Sequence, residues 1–353
     1  MTNEQVATAA RVACRDDAPM ESVAGRASAE GRDLDPDIRR FIREVGEAVA
    51  RYPEFGTAPY PQVRRWAEEV RAPWCRGGPQ MLQTWSTAAS TRHGEVRVRI
   101  HKPCEGTLPA LIYLHGGGWT LFSIDTHDRV MREYAARARC AVVGIDYALA
   151  PEARFPVALE QIVDTVAWLG SRGGEFAIDA SRLAIGGDSA GANLSVATCL
   201  SLRDAGHQLL RAMLLNYGAF TTECSAEACR RYGGPQYMLG CEEMAVYWAN
   251  YMRGPADSRN PLVCPLLARL EGLPPAFLAV AECDILGEQS LRLSSACWRR
   301  VWRHAARSIA APRTALSKPC PSPPSAIGRW QRPPPGWLRR CNRGANARSR
   351  VGR

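Results

Sequence analysis

Leu183-Ala184-Ile185-Gly186-Gly187-Asp188-Ser189-Ala190-Gly191 decides how this chain is read: an apolar run ends in Gly-x-Ser-x-Gly, and a helix-like stretch, Asn193–Arg203, follows. A strand that turns sharply into a helix through such a pentapeptide can lift a serine hydroxyl above the edge of a sheet. The small flanking residues permit the turn. The start of the helix brings partial positive charge to the place where an oxyanion would develop. Taken alone the pentapeptide is a weak signal, because a tight turn with a buried serine would read the same way.

A second signal lies upstream. His115-Gly116-Gly117-Gly118-Trp119 closes the apolar run Ala110–Leu114. Glycines at the C-terminal end of a strand can aim successive backbone N–H groups into a cleft. Gly116, Gly117 and Gly118, together with the N–H of Ala190, would then supply the donors that an acyl-transfer oxyanion needs. His115 reads as a residue that fixes this loop rather than as a base. A phosphate-cradling loop is the rival reading, but no Lys-Ser/Thr pair follows the glycines.

Outward from these motifs the pattern is α/β. Val96, Val98 and Ile100 alternate with arginines as in a half-exposed strand. Apolar runs then recur at Ala110–Leu114, Ala141–Ile145, Leu183–Ile185, Met213–Leu215 and Ala276–Val280, separated by helix-like Asp128–Arg139, Val157–Leu169 and Asn193–Arg203. Continuous apolar strands alternating with helices predict a mostly parallel sheet covered on both faces. Residues 217–260 break the rhythm and read as an insertion with one helix, Glu242–Arg253. Upstream, Ile38, Phe41, Ile42, Val45 and Val49 share one helical face, as do Val63, Trp66 and Val70. These helices could form a lid or simply decorate the domain. Residues before about 33 read as loose.

Four stretches together resemble the hormone-sensitive-lipase family of α/β-hydrolases, especially its bacterial short-chain carboxylesterases and acetyl esterases. They are His115–Trp119, Asp146-Tyr147-Ala148-Leu149-Ala150-Pro151-Glu152 with Phe155-Pro156, Gly187–Gly191, and Ala281-Glu282-Cys283-Asp284-Ile285-Leu286. They run in the family's order over about residues 90–293. The resemblance implies an α/β-hydrolase fold of eight mostly parallel strands, with a helical cap built from the N-terminal helices and the insertion near 217–260. It implies Ser189 as nucleophile, Asp284 as the acid of the triad, and Gly117, Gly118 and Ala190 as oxyanion donors. The expected activity is hydrolysis of short-chain carboxylic esters through an acyl-enzyme, with a small-molecule ester as partner and no cofactor or metal. Asp284 also follows the strand Ala276–Val280 in the order serine, acid, histidine that this fold uses; a helix N-cap would fit the same place. Trp119, Leu121 and Phe122 are expected to form the apolar lip of a small pocket.

The histidine of the triad is missing from its expected place, about thirty residues beyond the acid. Only His304 follows Asp284, within an Arg- and Trp-rich stretch, and it is a weak candidate for the base. From Gln289 to Arg353 there are fifteen Lys and Arg and no Asp or Glu, whereas the preceding 288 residues hold thirty basic and thirty-five acidic ones. The net charge of +10 therefore resides in the tail, which argues against a nucleic-acid surface on the body. A basic, Pro-rich tail could be a disordered nucleic-acid arm, but a slipped reading frame explains it better. Read one nucleotide out of phase, the codons of Cys297-Trp298-Arg299 give leucine and then, where the arginine codon starts with C, alanine. Those of Pro312–Leu316 can give Thr-His-Ser-Phe. A chain without its true last strand and helix would leave a sheet edge unpaired.

The division expected is residues 1–90 as N-terminal segment and cap helices, 91–294 as the catalytic domain, and 295–353 as the anomalous tail. The thirteen cysteines are scattered singly and read as reduced, small apolar residues of a cytoplasmic protein. No run of about 18 apolar residues appears, so no membrane span is expected, and nothing in Met1–Asp17 reads as a signal peptide. With no recognisable base, a binding-only pseudoenzyme on the same scaffold is the alternative to the esterase. A tail-borne nucleic-acid binder is the least expected reading, and nucleic acid is not an expected partner.

Overall fold

The computed structural model describes residues 34–298 and 305–309. Eight strands form one sheet in the order β1-β2-β4-β3-β5-β6-β7-β8. β1 (Gln83–Thr91) and β2 (Gly94–Lys102) make an antiparallel hairpin, and β2 also runs antiparallel to β4 (Ala141–Ile145). β3 (Leu108–Leu114), β4, β5 (Ile178–Asp188), β6 (Leu210–Asn216), β7 (Ala276–Ala281) and β8 (Ala305–Ile309) are parallel to one another. The expected mostly parallel sheet is therefore present.

Alternation along the central strands sorts the core into two layers. Leu111, Tyr113, Val142 and Leu214 face Met131 and Ala135 of α3 (Asp128–Ala138). Ile112, Leu114, Val143, Ile185 and Met213 face the other way, toward α4 (Val157–Arg172) and α5 (Ala190–Asp204). Both faces are thus covered by helices. The parallel strands consequently read as unbroken apolar runs.

The N-terminal helices are α1 (Pro36–Val49), capped by the Asp35 carboxylate, and α2 (Tyr60–Cys75). α2 buries Val63, Ala67 and Val70, while the Trp66 ring stacks 5.1 Å from that of Tyr52. Within the insertion lie two helices where the sequence suggested one: α6 (Ala226–Tyr232) and α7 (Cys241–Tyr251). A disulfide joins Cys229 of α6 to Cys241 at the start of α7. This corrects the reading of every cysteine as a reduced, isolated thiol. Two cysteines twelve residues apart look unrelated in sequence and meet only because the insertion folds back on itself.

Two further differences concern the sheet. β1 was not anticipated, because it is an edge strand with little burial and a polar, Ala-rich sequence. β8 was not anticipated either: it comes from within the basic tail and pairs with β7 from Phe277↔Ala305 to Ala281↔Ile309. β7 is therefore not left as an unpaired edge. The last helix, α8 (Gly287–Trp298), continues past the boundary at 294 drawn from composition. His304 and residues 310–353 lie outside the described residues.

Candidate active site

Ser189 stands at the junction of β5 and α5 with φ 52° and ψ −116°, a conformation that L-residues rarely adopt. The turn is held from both sides. The Ser189 N–H donates to the Asn216 carbonyl at 2.9 Å, and the Ser189 carbonyl accepts the first helical bond from Asn193 at 3.1 Å. Its two flanking glycines are required by space: a Cβ on Gly187 or on Gly191 would run into the Leu114 carbonyl. β5 therefore packs so closely on β3 here that Gly-x-Ser-x-Gly is a steric necessity.

That same contact positions the glycine loop. β3 and β5 are adjacent, with Leu114 opposite Gly187, so His115–Gly118 and Ser189 leave neighbouring strand ends on the same edge of the sheet. The Gly117 carbonyl accepts from Thr120 and Leu121, which folds the loop back. Gly118 has φ 59°, and a Cβ there would strike the Tyr247 ring. Arg64 of α2 braces the far side, donating to the carbonyls of Thr120 and Ala150 at 2.8 Å each and pairing with Glu152.

The Gly116 N–H donates to Asp188 Oδ1 at 3.2 Å, which takes it away from the cleft. This corrects the inclusion of Gly116 among the oxyanion donors. Among the described residues no acceptor engages the N–H of Gly117 or of Gly118, and the Ala190 N–H is at the open first turn of α5. Asp188 itself is buried. It accepts from Tyr113 Oη at 2.9 Å and faces His127 Nε2 at 3.4 Å. Burial acts to raise its pKa, but the His127 ring and these hydrogen bonds outweigh burial and the net direction is down. Sequence reading overlooked Asp188, although it sits inside the pentapeptide.

His115 is 1% exposed and stacks on Tyr147 with centroids 4.3 Å apart. Its Nδ1 lies 2.8 Å from the Gly116 carbonyl, so Nδ1 carries the proton and donates. Burial first, and then the neighbouring His127, push its pKa down to about 4. A neutral, sealed imidazole tied to the loop backbone is built to hold the loop. His127 in turn has Nε2 directed at Asp188 and Nδ1 at Thr126 and Ser123.

Asp284 follows β7, where its Oδ1 accepts from Leu286 N–H at 2.8 Å, a turn-capping contact. Burial pushes its pKa up to about 6, offset only by that N–H. No cation pairs with it among the described residues. The phenol of Tyr217, just past β6, lies within electrostatic reach of Asp188, Arg71 and Asp284.

The expected apolar lip is only partly there. Trp119 and Leu121 are 1% and 6% exposed, and the Trp119 ring stacks into Tyr251 and Trp248 beneath the cap. Phe122 alone of the three is half-buried beside the glycine loop, its ring close to the space a Cβ on Gly117 would need. Among the described residues, no three His, Cys, Asp or Glu side chains converge to hold a metal, and no helix is long and apolar enough to cross a membrane.

Known proteins agree with this architecture. A family model described as alpha/beta hydrolase fold matches residues 111–300. An acetyl esterase of Salmonella choleraesuis (strain SC-B67) is 35% identical over 264 residues, covering 72% of this chain and 81% of that protein. A hyperthermophilic esterase from the archaeon Pyrobaculum calidifontis superposes with TM-score 0.71 at 30% identity, over 78% of this chain and 89% of that one. A thermostable carboxylesterase cloned from a metagenomic library gives TM-score 0.69 at 31% identity, over 72% and 88%. The chain belongs to the α/β-hydrolase fold family, in its hormone-sensitive-lipase branch. By family it is a carboxylic ester hydrolase.

Proposed function

We propose that this protein hydrolyses short-chain acyl esters through an acyl-enzyme on Ser189. The observation that carries the proposal is the pairing of a strained serine at the end of β5 with two unengaged N–H groups at the end of neighbouring β3. The Ser189 hydroxyl attacks the ester carbonyl carbon. The carbonyl oxygen gathers negative charge facing the N–H groups of Gly117, Gly118 and Ala190. The intermediate collapses, the alcohol leaves with a proton, and water then cleaves the acyl-serine in the same manner. Asp188 and His115 position the loop, and neither touches the reacting atoms. The sheet from β1 to β8 and the helices packed on its faces are assigned as the catalytic domain, with α1, α2 and the insertion as its cap.

Asp284 is assigned as the acid of the triad, and its histidine belongs to the segment after residue 298. Two observations support a slipped frame there: the family match stops at residue 300, and among the described residues no cation pairs with the Asp284 carboxylate. Reading the gene across codons 290–320 tests that part; a frame with no such histidine refutes it. The esterase relatives weigh against the binding-only alternative.

The Ser189 assignment is tested by incubating the protein with an uncharged fluorophosphonate and mapping the adduct by mass spectrometry. Modification confined to the peptide bearing Ser189, and absent from Ser189→Ala, is expected. Labelling elsewhere, or equal labelling of both proteins, would overturn it.

A further inference from the structure

We infer that Arg71 anchors an anionic group of the substrate, so that this enzyme favours esters carrying a carboxylate a few atoms from the scissile bond. The inference rests on the Ser189 reading above and adds a substrate class to it.

Arg71 projects from α2. Its guanidinium lies 4.6 Å from the Phe122 ring centroid and 5.5 Å from that of Phe41. The Phe122 ring in turn reaches to within 2.7 Å of where a Cβ on Gly117 would sit. The cation thus stands one ring away from the proposed oxyanion donors. Tyr247, whose ring covers Gly118, also lies within its field, as do Tyr217 and Asp188.

The arginines around it are engaged. Arg64 pairs with Glu152, Arg97 with Asp125 and Asp146, Arg99 with Asp125 and Asp128, and Arg132 with Asp128. The Arg71 guanidinium has neither a hydrogen bond nor an ion pair among the described residues, and none of its nitrogens is among the sealed polar atoms. They keep some solvent exposure. Scarcity of carboxylates does not explain this, since acidic residues outnumber basic ones over the first 288 positions. The acid that acts on it, Asp188, is already held by Tyr113, Gly116 and His127.

A half-buried guanidinium without a protein acceptor is matched by a ligand carboxylate, which its planar fork takes in two parallel hydrogen bonds. Arg71 also offsets the nearby charge of Asp188, which would repel such an anion if Arg71 were absent. The competing role for Arg71 is purely structural, as a plate between the rings of Phe41 and Phe122.

The test compares binding of monomethyl glutarate with that of its uncharged partner dimethyl glutarate, by ligand-observed NMR on the full Ser189→Ala chain, where turnover cannot interfere. The monoester is expected to bind about ten-fold tighter or more. Arg71→Met should collapse that ratio toward one, and Arg71→Lys should keep part of it. Equal binding of both esters without the second substitution, a ratio unchanged in Arg71→Met, or binding of neither ester would each overturn the inference. Labelling of Ser189 by the uncharged fluorophosphonate is read separately, so the esterase reading can stand when this one falls.

Discussion

Ser189 holds its left-handed backbone only because its surroundings insist on it. Such a conformation costs about 1–3 kcal/mol for a residue with a side chain, whereas glycine accepts it freely. Ser189→Gly is therefore expected to raise stability by about 1 kcal/mol in denaturant melts while abolishing labelling. Unchanged or lower stability would mean that the turn is not strained. Asp284 carries the second residue-level prediction. Its folded pKa is raised from 3.8 to about 6, so between those values the folded protein binds more protons than the unfolded chain. Stability contributed by the protonated carboxyl is thus present below about pH 4 and is lost as pH rises through 6. Asp284→Asn should remove that loss and make the mutant more stable than the parent at neutral pH, by about 2 kcal/mol. If a histidine were paired with Asp284, the same substitution would destabilise the protein instead, and chemical melts at pH 4 and pH 7 distinguish the two.

Between residues and molecule stands the strand–turn–helix unit of β5 and α5 packed on β3. A Cβ at Gly191 would enter the carbonyls of Leu114 and His115, so Gly191→Ala has to push β3 and α5 apart. Overpacking of this kind costs about 1–3 kcal/mol, and here it also displaces the glycine loop. Loss of both stability and Ser189 labelling is expected, and a fully labelled, fully stable variant would contradict the packing described. This unit was legible in sequence because its constraints are local: glycines where backbones touch, and a serine between strand and helix. β1 was not, since an edge strand exposed on one side has no apolar pattern to betray it. The Cys229–Cys241 bridge and the surroundings of Arg71 were equally invisible, because each depends on how the cap folds over the sheet. Asp188 was within view and was passed over, as the serine beside it drew the chemistry.

At the scale of the whole molecule, charge and architecture divide at nearly the same place. The body of the chain is mildly acidic and builds the sheet from β1 to β7, while the basic excess begins near Gln289. β8 lies inside that basic segment and still completes the parallel order. The sheet thus tolerates a change of composition that the triad does not, because a strand needs only backbone pairing whereas proton transfer needs one particular ring. A nucleophile without its base loses most of its advantage: the remainder in comparable triads, about 10³–10⁴ over water, comes from the oxyanion donors and binding and survives loss of the serine. The most direct measurement is the hydrolysis of a short-chain aryl acetate by the full chain beside its Ser189→Ala variant. Slow phenol release with acetyl retained on the Ser189 peptide of the full chain, and no acetyl in the variant, is the result predicted; an unmodified Ser189 peptide in the full chain would contradict the assignment of Ser189 as the nucleophile.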